Sequence, residues 1–231
     1  MHSKQERKTS EENYKSENTG RRASGRTEDN RDEKKQLCYE NLPRGYDLYE
    51  VIDFAKNPGN ATKIAWSGLA VTAAMIAMAL PDHSLKTAVS MHPFRIGVAV
   101  CFMLIGFLVY ILLHEGVHGF FIKMFTGENA EFGLQMKAGM AYASSRYFFG
   151  KAVYIIIALA PVIVWGIVLT LLLKDVPECY WWYLYAVQIL NISGCVGDLF
   201  VTYRILKAPK GTLVLDSGMS MKFFAKTSYE S

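Results

Sequence analysis

The stretch IGVAVCFMLIGFLVYILLHEGVHGFFIKMF, Ile96 to Phe125, joins an apolar run to a cluster of ionisable residues. Its first 18 residues, Ile96–Leu113, carry no charge. At about 1.5 Å per residue they cover roughly 27 Å of helix, enough for most of the hydrocarbon core of a bilayer. His114 and His118 follow four positions apart. On a helix they stand one turn apart on one face, where both imidazoles reach a single metal ion. Glu115, beside them, is placed to act as a general base toward water. An ionised side chain at the centre of a membrane helix costs about 2.5–3.5 kcal/mol on insertion scales, and a bound zinc ion is the most economical offset. His-Glu-x-x-His alone recurs by chance in soluble proteins. Within an apolar span, where such residues are rare, it points to a metal site.

Around this stretch the 231-residue chain divides sharply. Residues 1–35 contain no Phe, Trp, Leu, Ile or Val and are crowded with charged and small polar residues. A segment of that composition buries too little apolar area to offset its ordering entropy, which predicts a disordered tail over residues 1–37. Its ten basic and eight acidic residues nearly cancel, so it does not read as a nucleic-acid arm. It also lacks the apolar run of a secretory signal. The four cysteines (Cys38, Cys101, Cys179, Cys195) form no C-x-x-C pair and no disulfide framework, and Cys195 enters only as a rival metal ligand.

Residues 42–62 mix aromatic and charged residues and read as a short folded lead-in near the membrane surface. Four spans follow, at about 64–80, 96–122, 152–173 and 180–203. The first is rich in Ala, Gly and Met, which suits close helix packing. His83 and His92 lie in the loop after it with no ligand partner at metal spacing and read as surface residues. Pro161, in the middle of the third span, is expected to kink the helix and free a backbone carbonyl. The fourth begins at Tyr180-Trp181-Trp182-Tyr183, an aromatic group typical of a membrane interface. Two alternating stretches, Phe132 to Tyr142 and Thr212 to Phe224, read as β-hairpins beside the bundle, with turns at Lys137-Ala138-Gly139 and Asp216-Ser217-Gly218.

With four spans, residues 1–63, 123–151 and 198–231 share one side and hold 22 Lys and Arg, against 3 on the other. The bias predicts that both termini are cytoplasmic. The second and fourth spans then run in the same direction, which brings His114, His118 and Asp198 to one depth at their inner ends. Two histidines and a carboxylate, with one position open, make a catalytic zinc site. Gly194 and Gly197 are expected to let helix backbones approach there, and Gly119 to leave room beside the second histidine. Asn191, seven residues before Asp198, falls on nearly the same face and is the candidate substrate-binding residue. Asp216, beyond the last span, ranks below Asp198 as a ligand.

His114-Glu115-Gly116-Val117-His118-Gly119, Ala158-Leu159-Ala160-Pro161, Ser193-Gly194-Cys195-Val196-Gly197-Asp198-Leu199 and Val214-Leu215-Asp216-Ser217-Gly218, with Leu42-Pro43-Arg44-Gly45-Tyr46 ahead of them, together resemble a bacterial family of membrane proteins described as "putative zincin peptidases". More distantly the arrangement is similar to site-2 protease intramembrane metalloproteases. That resemblance implies zinc at His114, His118 and Asp198, with Glu115 as base. The site-2 pattern has a proline between its Asn and Asp and the order Asp-Gly; here there is no such proline and the order is Gly-Asp.

The expectation is therefore an all-α integral membrane protein of four transmembrane helices with small interfacial β-hairpins, a tail over 1–37 and one domain over 38–231. Its expected activity is zinc-dependent hydrolysis of a peptide bond in a protein or peptide, membrane-anchored or free, near the cytoplasmic face of the cell membrane. The expected partners are that substrate and the lipid bilayer, without nucleic acid. The rival class is a membrane protein that binds zinc without hydrolysis, as transporter or scaffold.

Overall fold

The computed structural model describes residues 37–53, 58–135, 140–218 and 220–226, so the expected tail over 1–36 and the hairpin turn at Lys137-Ala138-Gly139 lie outside the described residues. The chain divides into two units, Met1–Leu37 and Cys38–Ser231. Within the second unit the helices are α1 (Pro58–Ala79), α2 (Leu85–Val89), α3 (Pro93–Thr126), α4 (Lys151–Asp175), α5 (Glu178–Gly194) and α6 (Val196–Lys207). Four helical stretches, counting α5 and α6 as one, are long and apolar enough to cross a membrane. Helix α3 starts where its sequence says it should. Pro93 occupies the first turn, and His92 caps it by accepting from Phe94 N–H at 3.3 Å. It stops at Gly127, whose φ of 78° is open to glycine and whose N–H returns to Lys123 O at 2.8 Å.

Helix α5 is the hub of the bundle, packing against α1, α2, α3 and α4. Three of these neighbours reach it through a glycine. A Cβ on Gly68 of α1 would lie 3.2 Å from Ser193 O, one on Gly106 of α3 3.4 Å from Val187 Cγ2, and one on Gly166 of α4 3.6 Å from Asn191 Nδ2. Small residues therefore set the helix spacing, as expected of the first span, but not where the motif glycines suggested. A Cβ on Gly194 or Gly197 would meet nothing within 4 Å. Their effect is on the helix itself: it breaks for one residue at Cys195, between α5 and α6, within a run of weak helix formers. The apolar side chains on the outside of the bundle stay uncovered, among them Phe102, Leu108, Leu112, Ile163 and Leu171.

The hairpins are more extensive than expected. Strands β1 (Cys38–Tyr39), β2 (Tyr46–Asp53), β5 (Phe148–Gly150), β6 (Leu213–Asp216) and β7 (Ser220–Lys226) form one antiparallel sheet in the order β1-β5-β6-β7-β2. The lead-in thus supplies strand β2, paired to β7 from Tyr46↔Lys226 to Asp53↔Ser220, and α1 begins earlier than expected, at Pro58. Its sequence hides the strand because only Ile52 is fully buried; a bulge at Leu48/Glu50 interrupts the alternation. The inner face of the sheet carries Phe149, Val214 and Phe223, each 0% exposed, onto Val153 and Ile157 of α4 and Val201 and Ile205 of α6. Burying aromatic and β-branched side chains at about 1.5–3 kcal/mol each is what fastens the sheet to α4 and α6. Polar ties add to it: Arg204 of α6 pairs with Glu50 of β2, and Lys151 Nζ donates to Ala208 O at 2.7 Å. The Tyr154 hydroxyl of α4 donates to Asp216 of β6, whose other oxygen accepts from Gly218 N–H at 2.8 Å. Burial raises the Asp216 carboxyl above its ordinary range, and these two hydrogen bonds pull it back.

A second sheet pairs β3 (Glu131–Gln135) with β4 (Met140–Ser144), in register from Glu131↔Ser144 to Gln135↔Met140, where the alternation placed a hairpin. It lies against α3. The room beside Gly119, expected for a passing helix or substrate backbone, is taken by the Phe132 ring, which a Cβ at Gly119 would strike. Replacing Gly119 with Ala forces the end of this exposed ring aside and should cost up to about 1 kcal/mol of stability, below the range for a packed core. Adding Phe132→Ala to that variant should recover part of the loss in a thermal unfolding measurement; two costs that simply add would show that the residues are not in contact.

Candidate metal centre

One face of α3 carries Tyr110, His114 and His118 in sequence steps of four, and their rings touch edge-on down the face. An imidazole that ligates through one nitrogen is oriented, and its tautomer fixed, by a partner on the other. His118 finds its partner on α4. Its Nδ1–H donates to Ile157 O at 2.9 Å. Ile157 is four residues before Pro161, which has no N–H to offer that carbonyl. The helix runs on through Pro161 without a break, and the carbonyl freed by the proline is the one that turns His118.

His114 is held from the other side. Its Nδ1 lies 2.9 Å from the Tyr110 hydroxyl, which donates to Asn191 Oδ1 at 3.0 Å. Cys195 Sγ is a more distant neighbour at 3.9 Å. Both histidines therefore present Nε2 inward, 3.2 Å apart.

Asp198 arrives from α6. The break at Cys195 puts it in the first turn of a new helix, where free N–H groups favour an anion. Its Oδ2 lies 3.5 Å from His114 Nε2 and its Oδ1 3.8 Å from His118 Nε2. All three ligand atoms fall within 4.8 Å of one another. Zinc bonds of about 2.0–2.1 Å in tetrahedral geometry require ligand atoms about 3.3–3.4 Å apart. The Nε2–Nε2 distance of 3.2 Å and the Asp198 Oδ2–His114 Nε2 distance of 3.5 Å bracket that value, and the second carboxylate oxygen, Oδ1, is the one that faces His118. The chemistry fits too: with the His118 Nδ1–H committed to Ile157 O, the Nε2 atoms of two imidazoles and a carboxylate face one another, a donor set suited to a cation. Side-chain exposure of 28% at Asp198, against 13% at His114 and 11% at His118, leaves the open side of the group toward Asp198.

Glu115 is half-buried next to this group, with the backbone of Ala143 in β4 near enough to favour its carboxylate. Other candidates fall elsewhere. Asn191 is 0% exposed, with Oδ1 on Tyr110 and Nδ2 on Gln188 Oε1 at 3.4 Å, so it faces the interior of the bundle rather than a substrate path. Asp216 has both oxygens engaged by Tyr154 and Gly218 and ties the sheet to α4. His92 caps α3, and His83 pairs with Glu178 at 3.0 Å and stacks on Trp181. Sequence reasoning passed over Tyr110, although it is the lone hydroxyl in Ile96–Leu113 and sits one turn before His114. It also left the carbonyl freed by Pro161 without a recipient, because that recipient is on another helix.

His118→Ala should abolish stoichiometric zinc binding by the purified protein, as measured by elemental analysis. Pro161→Ala restores the N–H that competes for Ile157 O, and zinc affinity should fall about tenfold, at the low end of the range for outer-shell changes. Equal affinity in chelator competition would mean that the carbonyl does not orient the histidine.

No curated protein and no solved structure matches the chain. Residues 107–213, which contain Tyr110, both histidines, Glu115, Pro161 and Asp198, match the family described as "putative zincin peptidase", the family that the sequence motifs resemble.

Proposed function

We propose that the chain is a membrane-embedded zinc metallopeptidase that hydrolyses a peptide bond of a protein or peptide near the cytoplasmic face. The observation that carries this reading is the meeting of His114, His118 and Asp198 within 4.8 Å, from two separate helices, with Glu115 beside them. A zinc ion held there supplies Lewis acidity, polarising a carbonyl and making water a better nucleophile near neutral pH. The chain's own work is proton handling and alignment. Glu115, with the Ala143 backbone beside it, accepts a proton from the attacking water and delivers it to the leaving nitrogen.

Substrate alignment falls to the β3–β4 hairpin. Just past β4 the Ser145 N–H is already spent on Asp216 O at 3.2 Å. Among the described residues β3 pairs with β4 alone, and its Phe132 lies over Gly119. An extended peptide adding to that edge keeps its bonds straight beside the ligands. The membrane setting is supported by four helices of spanning length and by the apolar side chains they leave uncovered, and the inward orientation by the Lys and Arg bias.

The transporter reading fits less well. A transport path is lined by ionisable groups. The cavity of about 530 Å³ between α3, α4 and α5, which reaches Tyr110 on the outer side of the centre, is lined by apolar and aromatic residues such as Phe102, Leu169 and Val187.

Glu115→Gln should retain stoichiometric zinc while peptide cleavage falls by about 10²–10⁴-fold. A variant that keeps both zinc and full cleavage would remove Glu115 from the proton path.

A further inference from the structure

We infer that Gly166 O, Gln188, Asn191 and Tyr110 form a one-way hydrogen-bond chain that fixes which nitrogen of His114 is available to a metal, making Tyr110, Asn191 and Gln188 positioning residues. The inference rests on the metal-centre reading above and adds to it a device on the far side of the histidine. Its direction follows from what each group can donate. Gly166 O can only accept, so the end of the Gln188 amide that lies 3.4 Å from it is the NH₂ group, which also reaches Thr170 Oγ1 at 3.3 Å. Gln188 Oε1 therefore turns the other way and accepts from Asn191 Nδ2 at 3.4 Å. That leaves Asn191 Oδ1 as the acceptor for the Tyr110 hydroxyl at 3.0 Å. The single hydroxyl proton is now spent. The Tyr110 oxygen can meet His114 Nδ1, 2.9 Å away, only by accepting a proton from it. His114 is thereby protonated at Nδ1 and carries its lone pair on Nε2, the atom that faces His118 and Asp198.

The three relaying side chains are buried, which shields the middle of the chain from exchange with water. Asn191 is 0% exposed, Gln188 6% and Tyr110 7%. Reversing one amide would leave Gly166 O facing an oxygen, a loss of the kind that buried polar groups avoid. The chain also accounts for a pair of polar residues, Gln188 and Asn191, on an apolar helix that neither contacts the ligand atoms nor reaches the surface. His118 gets the same tautomer from a single carbonyl, whereas His114 has no such carbonyl within reach and is served by side chains relayed from α4 through α5.

The test uses the full chain in detergent micelles with zinc, and with cobalt as a visible probe of ligand geometry. Tyr110→Phe removes one oxygen and keeps the ring, so it should fold. Zinc Kd in chelator competition should rise about 10–100-fold, the range for losing an outer-shell partner, and the cobalt absorption bands should shift. Asn191→Leu should weaken zinc as well, and the Tyr110→Phe/Asn191→Leu double variant should bind zinc no more weakly than Tyr110→Phe alone, because both act through one chain. Gln188→Leu, further from the metal, provides an independent arm if Asn191→Leu does not fold; it should also raise Kd, by a smaller factor. Wild-type zinc affinity and an unshifted cobalt spectrum in Tyr110→Phe overturn the inference while leaving the metal centre standing. Multiplying losses in the double variant overturn the single-chain account, as does an Asn191→Leu variant that raises KM with zinc affinity intact, which would make Asn191 a substrate contact. Wild-type protein that takes up no zinc overturns the metal-centre reading itself, and the inference with it.

Discussion

Two imidazoles and a carboxylate have to be brought together inside an apolar bundle without leaving a polar atom stranded. That requirement organises the surrounding structure. An unpaired buried polar group costs several kcal/mol in an apolar setting, so each histidine needs a partner for its outward nitrogen before its inward one can be offered to a metal. The bundle meets the need in two ways. A proline in α4 releases the Ile157 carbonyl for His118, and a tyrosine one turn up α3 receives His114. Neither partner is on the motif, yet together they make it competent.

The helix arrangement follows from the same need. Asp198 has to reach the histidines from a different helix, and that helix is interrupted at Cys195, which sets the carboxylate in a first turn beside the imidazoles. Glycines on α1, α3 and α4 let those helices close onto α5, bringing Tyr110 within reach of Asn191. The five-stranded sheet buries Phe149, Val214 and Phe223 against α4 and α6, the two helices that supply Ile157 and Asp198. The sheet is thus a brace for the ligand geometry as much as a cap on the bundle. Asp216 belongs to that brace through Tyr154.

On the side of α3 that faces the hairpin, Gly119 admits the Phe132 ring and the Ala143 backbone lies by Glu115. Glu115 therefore meets backbone from the hairpin, while His114, His118 and Asp198 are set by helices. Separating the two supports lets the carboxylate stay near the ligand group without competing to join it.

The His114–His118 pair, the four long apolar helices, the placement of Asp198 at the depth of that pair and both hairpin positions were legible in the chain itself, because each depends on local period or on spacing along one element. The carbonyl freed by Pro161 was legible too, since the missing N–H is a property of proline alone. What took up that carbonyl was not, nor was the inward turn of Asn191, the filling of the space beside Gly119, or the pairing of residues 46–53 with the C-terminal hairpin. Each of those is a contact between elements far apart in sequence, and no periodicity within a segment records which neighbour will stand beside it. Residue type and spacing determined what chemistry the chain can offer; the packing of α4, α5 and the sheet against α3 decided which atom of each group faces the metal position, because hydrogen-bond direction is settled only when donor and acceptor are brought together.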